Sequence, residues 1–246
     1  MNVKAFKNHQ ELFNINPEAE AFFKKEVYEI ALASFIDYEE WKTSPFYGSY
    51  ISGDIKTDEN LLKIYQEIEN LDFETENIIF GGDLNVGFIS HVFDYQKIFV
   101  LGSFSTKLLT NVSGWFYVQG ITSIEEVLHF DGNDGGFLKL TLENKVPIVL
   151  TGSNNFDANI EAQYFVDPNY NTEDQNEHAK IINERLVSSD RTTFLHPKKY
   201  VDVVFSKLPE EQRAEFYDLS VLIQVHFGFC TEGNTAQIIE KLKENL

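Results

Sequence analysis

The chain has 246 residues, enough to bury a large core as one elongated domain or two small ones. Apolar residues make up 43% and aromatics 14%, with 22 Phe, which excludes a disordered tail. The formal charge of −19, from 39 acids against 20 bases, excludes recognition of nucleic acid through its phosphates and suits a basic partner or simple solubility.

No apolar run approaches the roughly 18 residues that span a bilayer. The opening "MNVKAFKNHQELF" has no continuous apolar stretch after its lysines, so no signal peptide is expected. The single cysteine, Cys230, allows no intramolecular disulfide, and a cytoplasmic location is the expectation.

In chain order, "NINPEAEAFFKKEVYEIALASF" predicts a helix. Asn16 is its candidate N-cap, Pro17 its first position, and Phe23, Val27, Ile30 and Ala31 recur at helical spacing. "SPFYGSYISGDIKTD" (44–58) is rich in turn formers and predicts a loop or short strand. "ENLLKIYQEIENL" repeats the helical pattern, with Asp58 as its cap.

From about Asn77 to Asn155 the segments turn β-rich, and "FLKLTL" alternates with period two. Gly82, Gly102 and Gly120 occupy matching places, 20 and then 18 residues apart. A recurring period near 20 in short strands predicts a solenoid, because each repeat is too small to bury its own apolar face and stacks on its neighbours. In a parallel β-helix each coil rises by about 4.8 Å, so four coils make a prism roughly 20 Å tall. Glycines belong at the corners, where a side chain would clash or where φ must be positive. The two ends expose strand edges, and the flanking helical regions are expected to cap them.

After a loop with one further strand at 155–178, "AKIINERLV", "PKKYVDVVFSKL" opened by Pro197, "PEEQRAEFYDLSVLIQVHF" and "TAQIIEKLKENL" predict helices. The expected fold is therefore mixed α and β, a short right-handed parallel β-helix with helical caps. Its regions are an N-terminal helical cap (1–74), a β-solenoid core (75–172) and a C-terminal helical subdomain (173–246). A β-sandwich of the same strands is the alternative. Hairpins favour Asn-Gly or Asp-Gly turns, and only Asp131-Gly132 and Asp134-Gly135 fit, both inside one longer loop.

Residues 77 to about 155 resemble the bactofilin-like, polymer-forming short β-helix proteins. The likeness rests on "GGDLNV" (Gly81–Val86), which matches their strand signature. "LGSFSTKLL" and "QGITSIEEVL" match it with substitutions, and "LHFDGNDGGFLKL" retains Asn133-Asp134-Gly135 of their loop coil. The resemblance implies a right-handed β-helix and a self-assembling scaffold. The helical flanks depart from the family pattern and argue against open-ended filaments. Looser solenoids of this kind look like neighbours of bacterial polymorphic toxins, which implies an immunity role.

The chemistry-bearing residues are few. "HFDGNDGG" places His129, Asp131 and Asp134 together, a set that a carbohydrate-cleaving site on a β-helix would use. The same residues are ordinary turn formers. As a calcium loop the stretch fails, since its twelfth position is Leu142 and strands flank it. The six histidines show no HxxxH or HExxH spacing, and Cys230 lacks a CxxC partner, so neither metal nor cofactor is expected. There is no GxxxxGK[ST] or GxGxxG phosphate loop.

Binding surfaces remain. A β-helix face is rigid and pre-organised. Tyr95, Trp115 and Tyr117, with His129, Asp131, Asn133 and Asp134 of the loop, are the expected partner contacts, and Phe130 lies among them. Exposed, the aromatics are hot-spot residues; inward, they are core. The expectation is a non-enzymatic protein-binding module, most concretely an immunity protein that neutralises a basic toxin such as a nuclease. A self-assembling scaffold is the alternative, and a carbohydrate-acting enzyme the least favoured.

Overall fold

The computed structural model describes residues 2–29, 32–33, 35–66, 77–89, 96–111, 114–130, 137–151, 156–158, 160–167, 192–218, 221–222, 224–226, 228 and 232–246. Among them, thirteen strands form one continuous sheet that curls on itself. The chain is a mixed α and β protein built on a β-solenoid, with three lateral faces.

The first face stacks β2 (Pro45–Ser52), β4 (Asn77–Phe80), β6 (Lys97–Val100), the start of β8 (Trp115–Phe130), β9 (Phe137–Leu142) and β11 (Phe156–Ala158). From Ile78 the chain returns to this face four times, at Ile98, Phe116, Leu138 and Phe156, all in parallel register. The second face stacks β3 (Ile55–Asn60), the start of β5 (Leu84–Ile89), the start of β7 (Phe104–Asn111), the middle of β8 and the end of β9. The third stacks the ends of β5, β7 and β8, then β10 (Val146–Thr151), β12 (Ala162–Val166) and β13 (Thr193–Leu195). These parallel ladders are what a sandwich of hairpins lacks. Among the described pairings only β1 (Asn2–Asn8) runs antiparallel, against β2.

Side chains alternate along each strand, so every coil sends one set inward and one outward. Inward, Ile78, Phe80, Ile98, Val100, Phe116 and Leu138 meet Leu84, Phe104, Leu109 and Leu128 in one core cluster. Two buried threonines of this stack take partners from the neighbouring coil. Thr106 Oγ1 donates to the Gly87 carbonyl at 3.2 Å, and Thr110 Oγ1 to the Ile89 carbonyl at 3.0 Å.

Outward, the first and third faces are apolar as well. Tyr50, Ile79, Phe99 and Tyr117 form a ladder on the first face, which packs in one cluster with Phe22 and Phe23 of α2 (Glu18–Phe23), Trp41 of α3 (Tyr38–Thr43), and Leu12 and Phe13 of α1 (His9–Ile15). A π-helical turn (Lys24–Glu29) follows α2, and its Glu26 accepts from Lys139 of β9 at 2.6 Å. On the third face, Leu108, Val127, Ile148, Leu150, Tyr164 and Val166 pack with Tyr200 and Val201 of α5 (Pro197–Val204) and Leu242 of α7 (Thr235–Asn245). Each large side chain so buried contributes about 1.5–3 kcal/mol.

The flanking helices thus pack along two sides of the prism, where the sequence pattern predicts them over its ends. The reason is the outward apolar ladders, which leave two faces needing cover. One helix does reach the interior: Leu61 and Ile64 of α4 (Leu61–Gln66) join the core cluster.

Locally, several expectations meet their residues. Pro197 opens α5 with His196 as N-cap, and Asn16 Oδ1 accepts from the Glu18 amide at 3.2 Å, but the N-cap of α2 is Pro17, one residue after the expected Asn16. Others differ. The turn-rich 44–58 segment forms β2 and most of β3, so the stack reaches back to Pro45, and Asp58 lies within β3. The edge strand β1 stands in a region whose pattern predicts only helix. The predicted helix over 179–187 lies outside the described residues. Also described is α6 (Glu210–Glu215), where the pattern predicts a longer helix.

Candidate binding face

The second face differs from its neighbours from the corner onward. Gly53, Gly82, Gly102 and Gly120 stack as a column where each coil leaves the first face. Gly53 has φ +81°, the left-handed region that favours glycine. The later ones are required by close approach instead. A Cβ on Gly102 would stand 2.5 Å from the carbonyl carbon of Gly82, and one on Gly120 2.6 Å from the Gly102 carbonyl oxygen. Of the two reasons for a corner glycine, steric clash governs the repeat. The next residue ties coil to coil: Asp54 Oδ1 accepts from the Asp83 amide at 2.9 Å, and Asp83 Oδ1 from the Ser103 amide at 2.8 Å.

Beyond the corner the strands read "DLNV", "SFST" and "ITSI". Leu84, Phe104 and Thr122 point inward and are buried. Lys56, Asn85, Ser105 and Ser123 pair across successive coils and point outward. Glu143, whose amide donates to the Thr122 carbonyl at 3.0 Å, continues this column on the next coil. Asp83, Asn85, Ser105, Ile121, Ser123 and Glu143 line a shallow hollow of about 320 Å³ over this face. Ile121 is 51% exposed there, while among the described residues no helix of the flanking layers packs over it.

The residues singled out from sequence fall elsewhere. Tyr95, Asp131, Asn133 and Asp134 lie outside the described residues, as do His91, His178 and Cys230. Trp115 is half-buried at the first face, with the Lys97 ammonium 4.3 Å over its ring. Tyr117 is buried against Phe22 and Phe99, and Phe130 belongs to the interior core. His129 points outward on the third face and is 2% exposed beneath the C-terminal helices. A partner reaches neither Tyr117 nor His129 while the helical layers are in place. Of the set His129, Asp131 and Asp134, only the histidine lies among the described residues, and it is enclosed.

The described histidines other than His196 are structural in setting. His9 is stacked between Trp41 and Phe46, with ring centroids 4.0 Å from each. Burial, and secondarily the charge of Lys97, push it down to about 3. His129 is pushed down to about 3 by burial and by its neighbour His226, and neither of its ring nitrogens has a partner among the described residues. His226 is pushed down to about 4 by burial and hydrogen-bonds the Tyr200 hydroxyl. All three are neutral at pH 7 and unsuited to acid catalysis in these positions. Among the described residues, no group of three or more His, Cys, Asp or Glu side chains could hold a metal ion.

Sequence reasoning misses the second-face residues, although their signal is present. Aligned on the corner glycines, the third residue after each is Lys56, Asn85, Ser105 and Ser123, a polar column in an otherwise apolar repeat. No family model, curated protein or solved structure matches this chain.

Proposed function

We propose that the protein is a non-enzymatic protein-binding module, and most concretely an immunity protein that neutralises a basic toxin. The observation that carries this reading is the asymmetry of the solenoid. The first and third faces are covered by the chain's own helices and the second is left open among the described residues, in a protein of net charge −19. A rigid sheet face loses little freedom on binding. The surplus of acid steers a basic partner toward it and raises the association rate. We take the solenoid to be right-handed, as β–crossover–β connections are in about 98% of cases. We take α4 to cap the N-terminal end of its interior.

The scaffold reading is less well supported. Head-to-tail stacking needs a strand in parallel register at each end. Here β1 reverses direction on the first face and carries exposed Lys4, a device that discourages edge pairing.

The test is affinity capture by the tagged full chain from lysate of its native cells, at low and moderate salt, followed by assay of the captured protein. The expected result is one stoichiometric basic partner, released as salt rises, whose enzymatic activity is blocked at a 1:1 ratio. A partner that stays fully active in the complex sinks the immunity reading. Recovery of the chain alone, in large assemblies by light scattering, favours the scaffold.

A further inference from the structure

We propose that the second face docks an extended basic segment of the partner protein, with Asp83 and Glu143 as its charge contacts and Ile121 as its apolar contact; this rests on the protein-binding reading above. The flanking faces show what this molecule does with an apolar surface, which is to cover it with its own helices. The second face carries Ser105 and Ser123 where the first carries Phe99 and Tyr117, and it stays uncovered among the described residues. Short side chains let another backbone approach closely. Ile121, half exposed on the lining of the hollow, is among the described residues the one large apolar group there that points outward.

Charge selects the ligand. The hollow is lined by two carboxylates and, among the described residues, by no Lys or Arg. Asp83 and Glu143 lie on coils three rungs apart, roughly 14 Å along the stack at about 4.8 Å per rung, with Glu143 two residues further along its strand. That span is too wide for one cation to bridge. It fits two basic side chains about four residues apart in an extended segment, at roughly 3.3 Å per residue. Ile121 lies on a coil between them, so an apolar residue belongs between the two bases. Nucleic acid and other anionic polymers are repelled by the same pair.

The experiment uses short labelled peptides in three patterns: basic–apolar–basic, acidic–apolar–acidic, and basic–Gly–basic. Binding is measured to the full-length chain and to the variants Asp83→Asn with Glu143→Gln, and Ile121→Ser. The side-chain amide introduced by Asp83→Asn keeps an oxygen to accept from the Ser103 amide, so the corner is kept, and circular dichroism checks the fold. A surface control, Glu11→Gln with Glu39→Gln, removes the same charge from the helical layer. The expected result is retention of the basic–apolar–basic peptide, weakened at least tenfold by either second-face variant and unchanged in the control. No retention by the wild-type chain, or equal loss in the control, overturns the proposal. The captured partner separates the two levels. A complex that survives all three second-face substitutions places the contact elsewhere and leaves the protein-binding reading standing, whereas no complex with the wild-type chain removes that reading itself.

Discussion

The first and second faces of the solenoid are made by the same coils, one corner apart, yet they are opposite surfaces. In one coil, Phe99 and Ser105 both point outward from strands of the same sheet. Phe99 is 1% exposed, with Phe23 at 4.7 Å and Tyr117 at 5.4 Å between ring centroids. Ser105 lines an open hollow. The backbone ladder is equally regular on both, so it does not decide which face is covered. The outward column decides, and it is independent of the inward one that builds the core.

The largest effect should come from the covered side. Phe99→Ala removes the centre of an aromatic cluster that joins α2 to the sheet, and is expected to cost about 3–5 kcal/mol. Urea unfolding followed by tryptophan fluorescence reads it, since Trp41 and Trp115 belong to the same cluster. A cost under about 1 kcal/mol would mean that the helical layer is not held by this ladder, and the contrast between the faces would collapse.

Acid should act on the covered faces as well, because their layers hold the buried histidines: His9 on α1 among the N-terminal helices, His129 beneath the C-terminal helices and His226 within them. Their folded values, about 3, 3 and 4, lie below the ordinary 6.5, so the unfolded chain binds more protons below pH 6.5. Their neutral forms therefore contribute stability that is fully present above about pH 6.5 and is lost as pH falls toward the folded values. The slope is about 1.4 kcal/mol per pH unit for each. Denaturation midpoints at pH 7.5 and 5.0 check the sign, and His129→Leu should flatten the slope by one histidine's share. A midpoint that rises on acidification would contradict the burial that sets these values.

Inside the second face two threonines sharpen the comparison further. Thr106 donates to Gly87, whereas Thr122 is fully buried and its hydroxyl has no partner among the described residues. Thr122→Val is expected to stabilise the protein by about 1 kcal/mol, and Thr106→Val to leave it unchanged or weaker. Thermal melting of the two variants distinguishes them, and the prediction fails if both shift the same way.

The solenoid is legible from sequence because corner glycines answer to a hard constraint. Backbone from one coil passes within reach of any Cβ on the next, as at Gly102 and Gly120, so the period survives where the other residues vary. The position of the helices is harder to read, though the strands hold the signal. "IIF", "IFV" and "FYV" are apolar at successive positions, the mark of strands buried on both sides, while "LNV" and "FST" alternate. Taking both kinds as the same strand repeat hides which face is open. The edge strand β1 escapes notice because "NVKAFKN" mixes charge with few apolar residues, as edges do. Tyr117 and His129 stand out by residue type, and residue type says nothing about what lies above a strand.

The smallest expected effect completes the contrast. Ser105→Ala removes an outward hydroxyl six residues after Phe99, in the same coil, and should change stability by no more than about 0.5 kcal/mol. Its loss leaves no cavity, since the hollow above it is open to water. Urea midpoints for Ser105→Ala and Ser123→Ala should overlay that of the unmodified chain. A loss above about 1 kcal/mol would mean that the second face is held by an intramolecular contact, as the first face is. The exposed column would then be part of the fold, and the reason for assigning it to a partner would be gone.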